Sequence, residues 1–228
     1  MIASTFVVSS PHGSLVGVRL SPRGVEHAHE HPGLHPDESR RAVELRGARR
    51  TSFVAGRIAL ARALDELGAP RVAVGSDDRG APIVTPGFVG SVSHKGELGV
   101  GLAAVDEGMR VGVDVETIYE IRSGIERLVL VDEERARLAL LPEHERARAL
   151  LASFSVKESI YKAIDPFVRR YVGYREAIVE LPEGAAMERG FARASVSLQL
   201  AQGESIAHLE AFVTARDGLL LSTARAAQ

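Results

Sequence analysis

Asp114 and Glu116, in the run Val111-Gly-Val-Asp-Val-Glu116, and Glu158, in Phe154-Ser-Val-Lys-Glu-Ser-Ile-Tyr-Lys162, are hard oxygen donors suited to a divalent cation. Val111, Val113 and Val115 alternate with Gly112, Asp114 and Glu116, the period of a strand with one buried face. Both carboxylates then point the same way, their Cα atoms roughly 6.5–7 Å apart, and Gly112 leaves room beside them. Mg²⁺ takes one or two carboxylates and fills its other positions with water and phosphate oxygens. Mn²⁺ accepts the same ligands. The chemistry this suggests is phosphoryl or phosphodiester transfer.

Two further groups carry donors for an anion. In Gly90-Ser-Val-Ser-His-Lys95 a hydroxyl, an imidazole and main-chain amides precede the apolar strand Leu98–Ala104. All three donor types suit phosphate oxygens, and a polar turn between strands is the plain alternative. A Ser-His nucleophile is the rival reading, without a Gly-x-Ser-x-Gly elbow to support it. Arginines crowd residues 40–62, at Arg40, Arg41, Arg46, Arg49, Arg50, Arg57 and Arg62. Arg50 and Arg57, seven apart, share a face of a continuous helix. A basic cluster in a chain of net charge −2 points to a polyanion. Arg40, Arg41 and Arg62 read as solvated. Aromatics make up 5% of the chain and none interleave with these arginines, which argues against nucleic acid.

The elements that must position these groups follow from pattern. Thr5–Ser9 and Leu15–Leu20 are candidate strands, and residues 38–67 are helical in composition, with Gly68 at a C-cap position. Arg71–Gly75, Pro82–Thr85, Gly99–Val105 and Arg110–Glu116 read as strands. Residues 123–151 are helical, broken by Pro142, and a helix carrying Glu158 runs to Pro166. Val156, Ile160, Ala163 and Ile164 form its core stripe, with Glu158 and Lys162 opposite and Asp165 near them. Ala177–Leu181, Ala194–Leu200, His208–Ala215 and Leu219–Ala224 make a strand meander. Ser52–Leu64 echoes Ser153–Ile164, which suggests a duplicated α+β unit with a cleft between the halves. We place the N-terminal subdomain at 1–108 and the C-terminal one at 109–228.

At 228 residues the chain can bury a substantial core. No apolar run approaches the roughly 20 residues of a membrane span, and Ile2–Ser10 lacks the features of an export signal. With no cysteine there is no thiolate nucleophile, thiolate metal site or disulfide, and a reducing cytoplasm is the default location. His27, His29, His31 and His35 are interrupted by Pro32 and Gly33 and read as a polar loop. Three functions remain open on the residues alone: a phosphoryl or phosphodiester transferase, a Mg²⁺-dependent hydrolase or nuclease, and a non-catalytic nucleotide-binding module.

Taken together, these pieces resemble the 4′-phosphopantetheinyl transferase superfamily in its longer, pseudodimeric Sfp/EntD-like branch. The family's Gly-x-Asp-x-Glu and (Trp/Phe)-Ser-x-Lys-Glu-(Ser/Ala)-x-x-Lys motifs match Gly112–Glu116 and Phe154–Lys162. Gly90–His94 matches its Gly-Ser-(Ile/Leu)-(Ser/Thr)-His segment. Arg49–Arg57 is similar to its arginine-bearing helix, and Asp165–Ala177 to the stretch after the lysine–glutamate helix. The resemblance spans residues 37–180, with Phe154 replacing the commoner Trp and Ala81 standing where some members carry a basic residue.

The resemblance implies an α+β pseudodimer with coenzyme A in the cleft between its halves. It implies Asp114, Glu116 and Glu158 as Mg²⁺ ligands, with Lys162, Lys157 and His94 neutralising the pyrophosphate. Arg49 and Arg57 would hold the 3′-phosphate and nucleotide end, with Ser93 as a further donor. A serine of an apo acyl or peptidyl carrier protein would attack the β-phosphate, and Glu158 would take its proton. The partner brings the nucleophile, which fits the lack of an evident one in this chain. Ile118–Leu130, with Arg122, Arg127, Leu128 and Val129, has the mixed character expected of a carrier-docking surface. A monomer is expected, because a pseudodimer completes its own cleft.

Overall fold

A computed structural model describes residues 2–118 and 124–228. The chain folds as two compact units divided between Val113 and Asp114. In the first, β1 (Ile2–Ser10) and β2 (Gly13–Leu20) form a hairpin, followed by α1 (Pro22–Glu26), α2 (Pro36–Glu44) and α3 (Gly47–Asp65). The short strands β3 (Gly75–Ser76) and β4 (Pro82–Ile83) then precede β5 (Phe88–Lys95) and β6 (Leu98–Val105). The main sheet is antiparallel, in the order β1-β2-β6-β5.

Helix α3 packs on this sheet through Val54, Ile58 and Leu60, all nearly inaccessible. Glycines in β6 allow the approach. A Cβ on Gly99 would lie 2.3 Å from the carbonyl carbon of Ala55, and one on Gly101 would lie 2.3 Å from the amide of Leu60. Backbone cannot yield at such distances, so these two positions fix how closely helix and sheet sit.

Two expectations change here. Gly90–Lys95 is not a polar turn but lies within β5, because β6 offers a matching ladder from Phe88↔Val105 to Lys95↔Leu98. As an edge strand, β5 sends alternate amides into the ladder with β6, and its side chains alternate across the strand. Arg71–Gly75 supplies strand only at its last residue, since the amide of Val74 donates to Glu38 Oε1 (2.9 Å) instead of to a ladder. Among the loop histidines, His35 caps α2 and His31 Nδ1 accepts from the Gly33 amide (2.9 Å).

The second unit takes up β7 (Arg110–Thr117) from Asp114 onward. Helices α4 (Glu126–Val129), α5 (Asp132–Leu140) and α6 (Glu143–Val168) follow, then a 3-10 turn, Tyr174–Glu176. The tail folds as β8 (Ala177–Glu180), α7 (Gly184–Arg189), β9 (Ala192–Leu198), β10 (His208–Arg216) and β11 (Leu219–Ala227), giving the sheet order β7-β11-β10-β9-β8. The stripe Val156, Ile160, Ala163 and Ile164 is buried as expected. Ser155 Oγ lies 2.8 Å from Ser222 Oγ of β11, and Ser222 also donates to the Ser155 carbonyl (2.7 Å), so the motif's first serine joins helix to sheet. Helix α6 continues two residues past Pro166 and ends at Arg169, which adopts a left-handed φ of 49°.

The weak sequence echo corresponds to repeated structural devices. Glu38 near the start of α2 accepts the amides of His35 (2.8 Å) and Val74 (2.9 Å). Glu134 near the start of α5 accepts those of Val131 (2.8 Å) and Val179 (2.7 Å). In each unit one buried carboxylate satisfies a helix N-terminus and the segment arriving after the long helix. Arg50 Nε donates to the carbonyls of Ala42 and Leu45 at the end of α2, and Arg146 Nε and Nη2 donate to those of Leu141 and Ala139 at the end of α5. Arg50 is thus a helix-capping residue.

A clamp holds the turn after α6. Arg170 pairs with Glu176 and Glu204, while Glu176 also accepts the amides of Gly173 (2.9 Å) and Ala201 (2.8 Å). Hydrogen bonds from Arg170 are the main cause holding the Glu176 carboxyl down to about 2, from an ordinary 4.5. A carboxylate with a depressed folded pKa stabilises the fold above its unfolded pKa and loses that contribution as pH falls through the folded one. The melting midpoint of the wild type should therefore exceed that of Glu176→Gln by a constant margin above pH 4.5, and the margin should shrink towards pH 2. Melting curves across that range would detect it; a margin independent of pH would mean that the clamp does not act through this charge.

Candidate active site

Two acids of the second unit each carry an in-chain donor. Asp114 is 4% exposed on β7, and Lys162 of α6 places Nζ 2.9 Å from its Oδ1. One helical turn earlier, Glu158 Oε1 accepts the Tyr174 hydroxyl at 2.5 Å. Burial, and then the hydrogen bond and charge of Glu158, push the Tyr174 hydroxyl well above the usual tyrosine range, with the Asp114 charge adding to the shift. Tyr174 therefore lies in the field of both acids. Glu116, partly buried, follows Asp114 by the two-residue strand period.

Contrary to the expected strand with a single buried face, Gly112 and Asp114 are buried along with the valines. Among the described residues, no three acidic or histidine side chains stand close enough to hold a metal by themselves. Lys162 and Tyr174 compensate two of the carboxylates that the sequence assigned to one cation site. The donor set of carboxylate oxygens still fits Mg²⁺, which needs one or two protein carboxylates and completes its octahedron with water and phosphate.

The first unit contributes a pocket of about 600 Å³. Arg49, Arg57, Ser93 and His94 all line it, so four predicted binding residues share one concavity. Arg57 is 5% exposed and lies 5.0 Å from the Phe53 ring centroid; its Nη2 donates to the Gly75 carbonyl (3.0 Å) and to Ser76 Oγ (2.7 Å). Its Nε is buried with no hydrogen-bond partner among the described residues, a donor suited to an acceptor in the pocket. Burial lowers the Arg57 pKa, opposed by the charge of Glu38. Arg49 and His94 are exposed, whereas Ser93 is 7% exposed.

Arg41, which the sequence suggested was solvated, also lines the pocket while pairing with Glu44. Asp77 and Asp78 line it too. Cationic groups beside carboxylates suit a ligand that carries both phosphates and hydroxyl or amine donors. Ser91 does not line this pocket; its Oγ accepts the Val113 amide (3.1 Å).

Lys157 corrects the sequence reading. Its side chain is 1% exposed, and Nζ contacts Glu134 Oε2 (2.7 Å) and the Val129 carbonyl (2.8 Å). It is sequestered in the core and is not poised for a pyrophosphate. Burial lowers its pKa, partly offset by the bond to Glu134. The signal was available: Lys157, Ile160 and Ile164 are spaced i, i+3, i+7, so the lysine lies on the core stripe. Within the proposed docking stretch, Arg122 lies outside the described residues, and Val129 and Leu130 are core, while Arg127 and Leu128 are exposed.

Removing one partner of a buried ion pair strands the other, at a cost of about 3–5 kcal/mol. Lys157→Met should lose stability on that scale in chemical unfolding, with KM for coenzyme A unchanged in the folded protein. A stable variant with a raised KM would restore Lys157 as a phosphate ligand.

The chain also matches known families and proteins. A family model described as the 4′-phosphopantetheinyl transferase N-terminal domain matches residues 36–105, and one described as the 4′-phosphopantetheinyl transferase superfamily matches residues 110–215. The 4′-phosphopantetheinyl transferase Npt of Nocardia iowensis is 36% identical over 177 residues, covering 73% of this chain and 78% of the relative. The 4′-phosphopantetheinyl transferase PptT of Mycobacterium tuberculosis is 31% identical, covering 64% of this chain and 65% of the relative. Enterobactin synthase component D of Salmonella typhi is 35% identical, covering 59% and 56%. The two family models match segments of both units, and on these likenesses the chain belongs to the 4′-phosphopantetheinyl transferase superfamily.

Proposed function

We propose that this enzyme transfers 4′-phosphopantetheine from coenzyme A to a serine of an apo acyl or peptidyl carrier protein, activating a fatty acid, polyketide or nonribosomal peptide synthase. The observation that carries the reading is the pair of contacts Asp114–Lys162 and Glu158–Tyr174, made by two acids and a lysine on β7 and α6 of a family member. The pocket of the first unit suits the nucleotide end, with Arg49, Arg57 and Ser93 towards the 3′-phosphate and His94 towards the diphosphate.

Asp114, Glu116 and Glu158 would hold Mg²⁺, or Mn²⁺ in its place. When bound, the ion would neutralise charge on the diphosphate. Lys162 is 25% exposed beside Asp114 and can extend its ammonium to a phosphate oxygen. Glu158 accepts the proton of the carrier serine as its oxygen bonds to the β-phosphorus. The bond from that phosphorus to the bridging oxygen breaks, and adenosine 3′,5′-bisphosphate leaves with the electron pair. Placement and charge compensation supply most of what such a transfer needs.

Arg127 and Leu128 give the carrier an exposed basic and apolar contact. No helix among the described residues is long and apolar enough to cross a membrane. A cytoplasmic monomer without nucleic acid remains our reading of the sequence.

Incubation with coenzyme A, Mg²⁺ and a panel of apo-carriers should add the mass of one phosphopantetheine to at least one carrier. Asp114→Ala and Glu158→Gln should abolish the gain while melting like the wild type. Cleavage of coenzyme A without carrier modification would favour a hydrolase, and binding without either reaction a non-catalytic module.

A further inference from the structure

The hydroxyl of Tyr174 has a single described hydrogen bond, to Glu158 Oε1, and the surrounding structure is built to deliver it. Its ring packs on Phe154, on the same helix as Glu158, with centroids 5.5 Å apart and planes inclined at 50°. The 3-10 turn beginning at Tyr174 is closed by Glu176, whose Oε1 accepts the Gly173 amide, and Arg170 grips Glu176 through both terminal nitrogens. Glu204 braces Arg170 from a separate loop. Thus three charged side chains and an aromatic contact fix a residue whose polar atom, among the described residues, bonds to the acid alone.

We propose that Tyr174 is a positioning residue for Glu158: its hydroxyl holds Oε1, so that the carboxylate presents Oε2 in one orientation. A glutamate side chain is flexible, and ordering it on demand costs rotamer entropy. The tyrosine pre-pays that ordering. A phenylalanine would keep the ring contact with Phe154 and lose only the hydrogen bond, so the role resides in one oxygen atom. This inference rests on the transferase reading, in which Glu158 is both a cation ligand and the acceptor of the serine proton.

Tyr174→Phe tests it. Groups that orient a metal-binding side chain are worth roughly 10–100-fold in metal affinity or activity when removed. The variant should melt like the wild type, lose kcat on that scale and keep its KM for coenzyme A. Mn²⁺ titrated into protein and coenzyme A, with no carrier present, should bind correspondingly more weakly. In a Glu158→Gln background the same substitution should weaken Mn²⁺ binding no further, because the two residues act as one unit. Wild-type kcat and Mn²⁺ affinity in Tyr174→Phe would overturn the proposal, as would an equal loss in both backgrounds. If the wild type modifies no carrier, the transferase reading fails, while the Mn²⁺ cycle still decides whether Tyr174 orients Glu158.

Discussion

Lys157 and Glu134 are both almost wholly shielded from water, and their contact fixes which way α6 faces. Consecutive helical residues diverge by roughly 100° about the axis. Once Lys157 is committed to the interior, Glu158 is turned off the core stripe, and Lys162, one turn on, lies beside it. A buried pair of this kind is weak evidence of net stability but strongly disfavours any rotation that strands either charge. The same carboxylate also accepts the amides of Val131 and Val179, so the helix orientation, the start of α5 and the entry to β8 depend on one side chain.

The first unit meets the corresponding demand with different chemistry. Glu38 takes the place of Glu134, but the buried cation nearby is Arg57, which donates to β3 and lines the pocket. In one unit the interior cation is closed off by a carboxylate and a carbonyl; in the other it lines a cavity, and its buried Nε has no hydrogen-bond partner among the described residues. A repeated framework thus carries a sealed interior cation in the second unit and a pocket-lining one in the first. The glycines at 99 and 101 make the latter compact by letting α3 approach β6 at backbone distance.

Much of this was legible in the residues. Alternation in 111–116 located β7, the stripe Val156–Ile164 oriented α6, and the motif resemblance selected the pocket residues Arg49, Arg57, Ser93 and His94. What escaped was decided by contacts remote in sequence. β5 is a strand because β6 pairs with it, although its own residues have the polarity of a turn. Glu38 and Glu134 look like ordinary first-turn acids, and only the returning amides of Val74 and Val179 make them structural. Tyr174 lies within the resemblance yet carries no chemical signal in sequence, since its role comes from a turn that folds it back onto Glu158. Lys157 was misread because a charge beside an acidic motif drew more weight than its place on the apolar stripe.

In the proposed transfer, β7 and α6 set Asp114 and Glu158 to share one cation. Diffraction from crystals grown with coenzyme A and Mn²⁺, using the anomalous signal of the metal, tests it most directly. A single peak is expected about 2.1 Å from a carboxylate oxygen of each acid, with Lys162 turned from Asp114 to a phosphate oxygen. A peak on only one of the two acids, or at neither, with Lys162 still on Asp114, would contradict it.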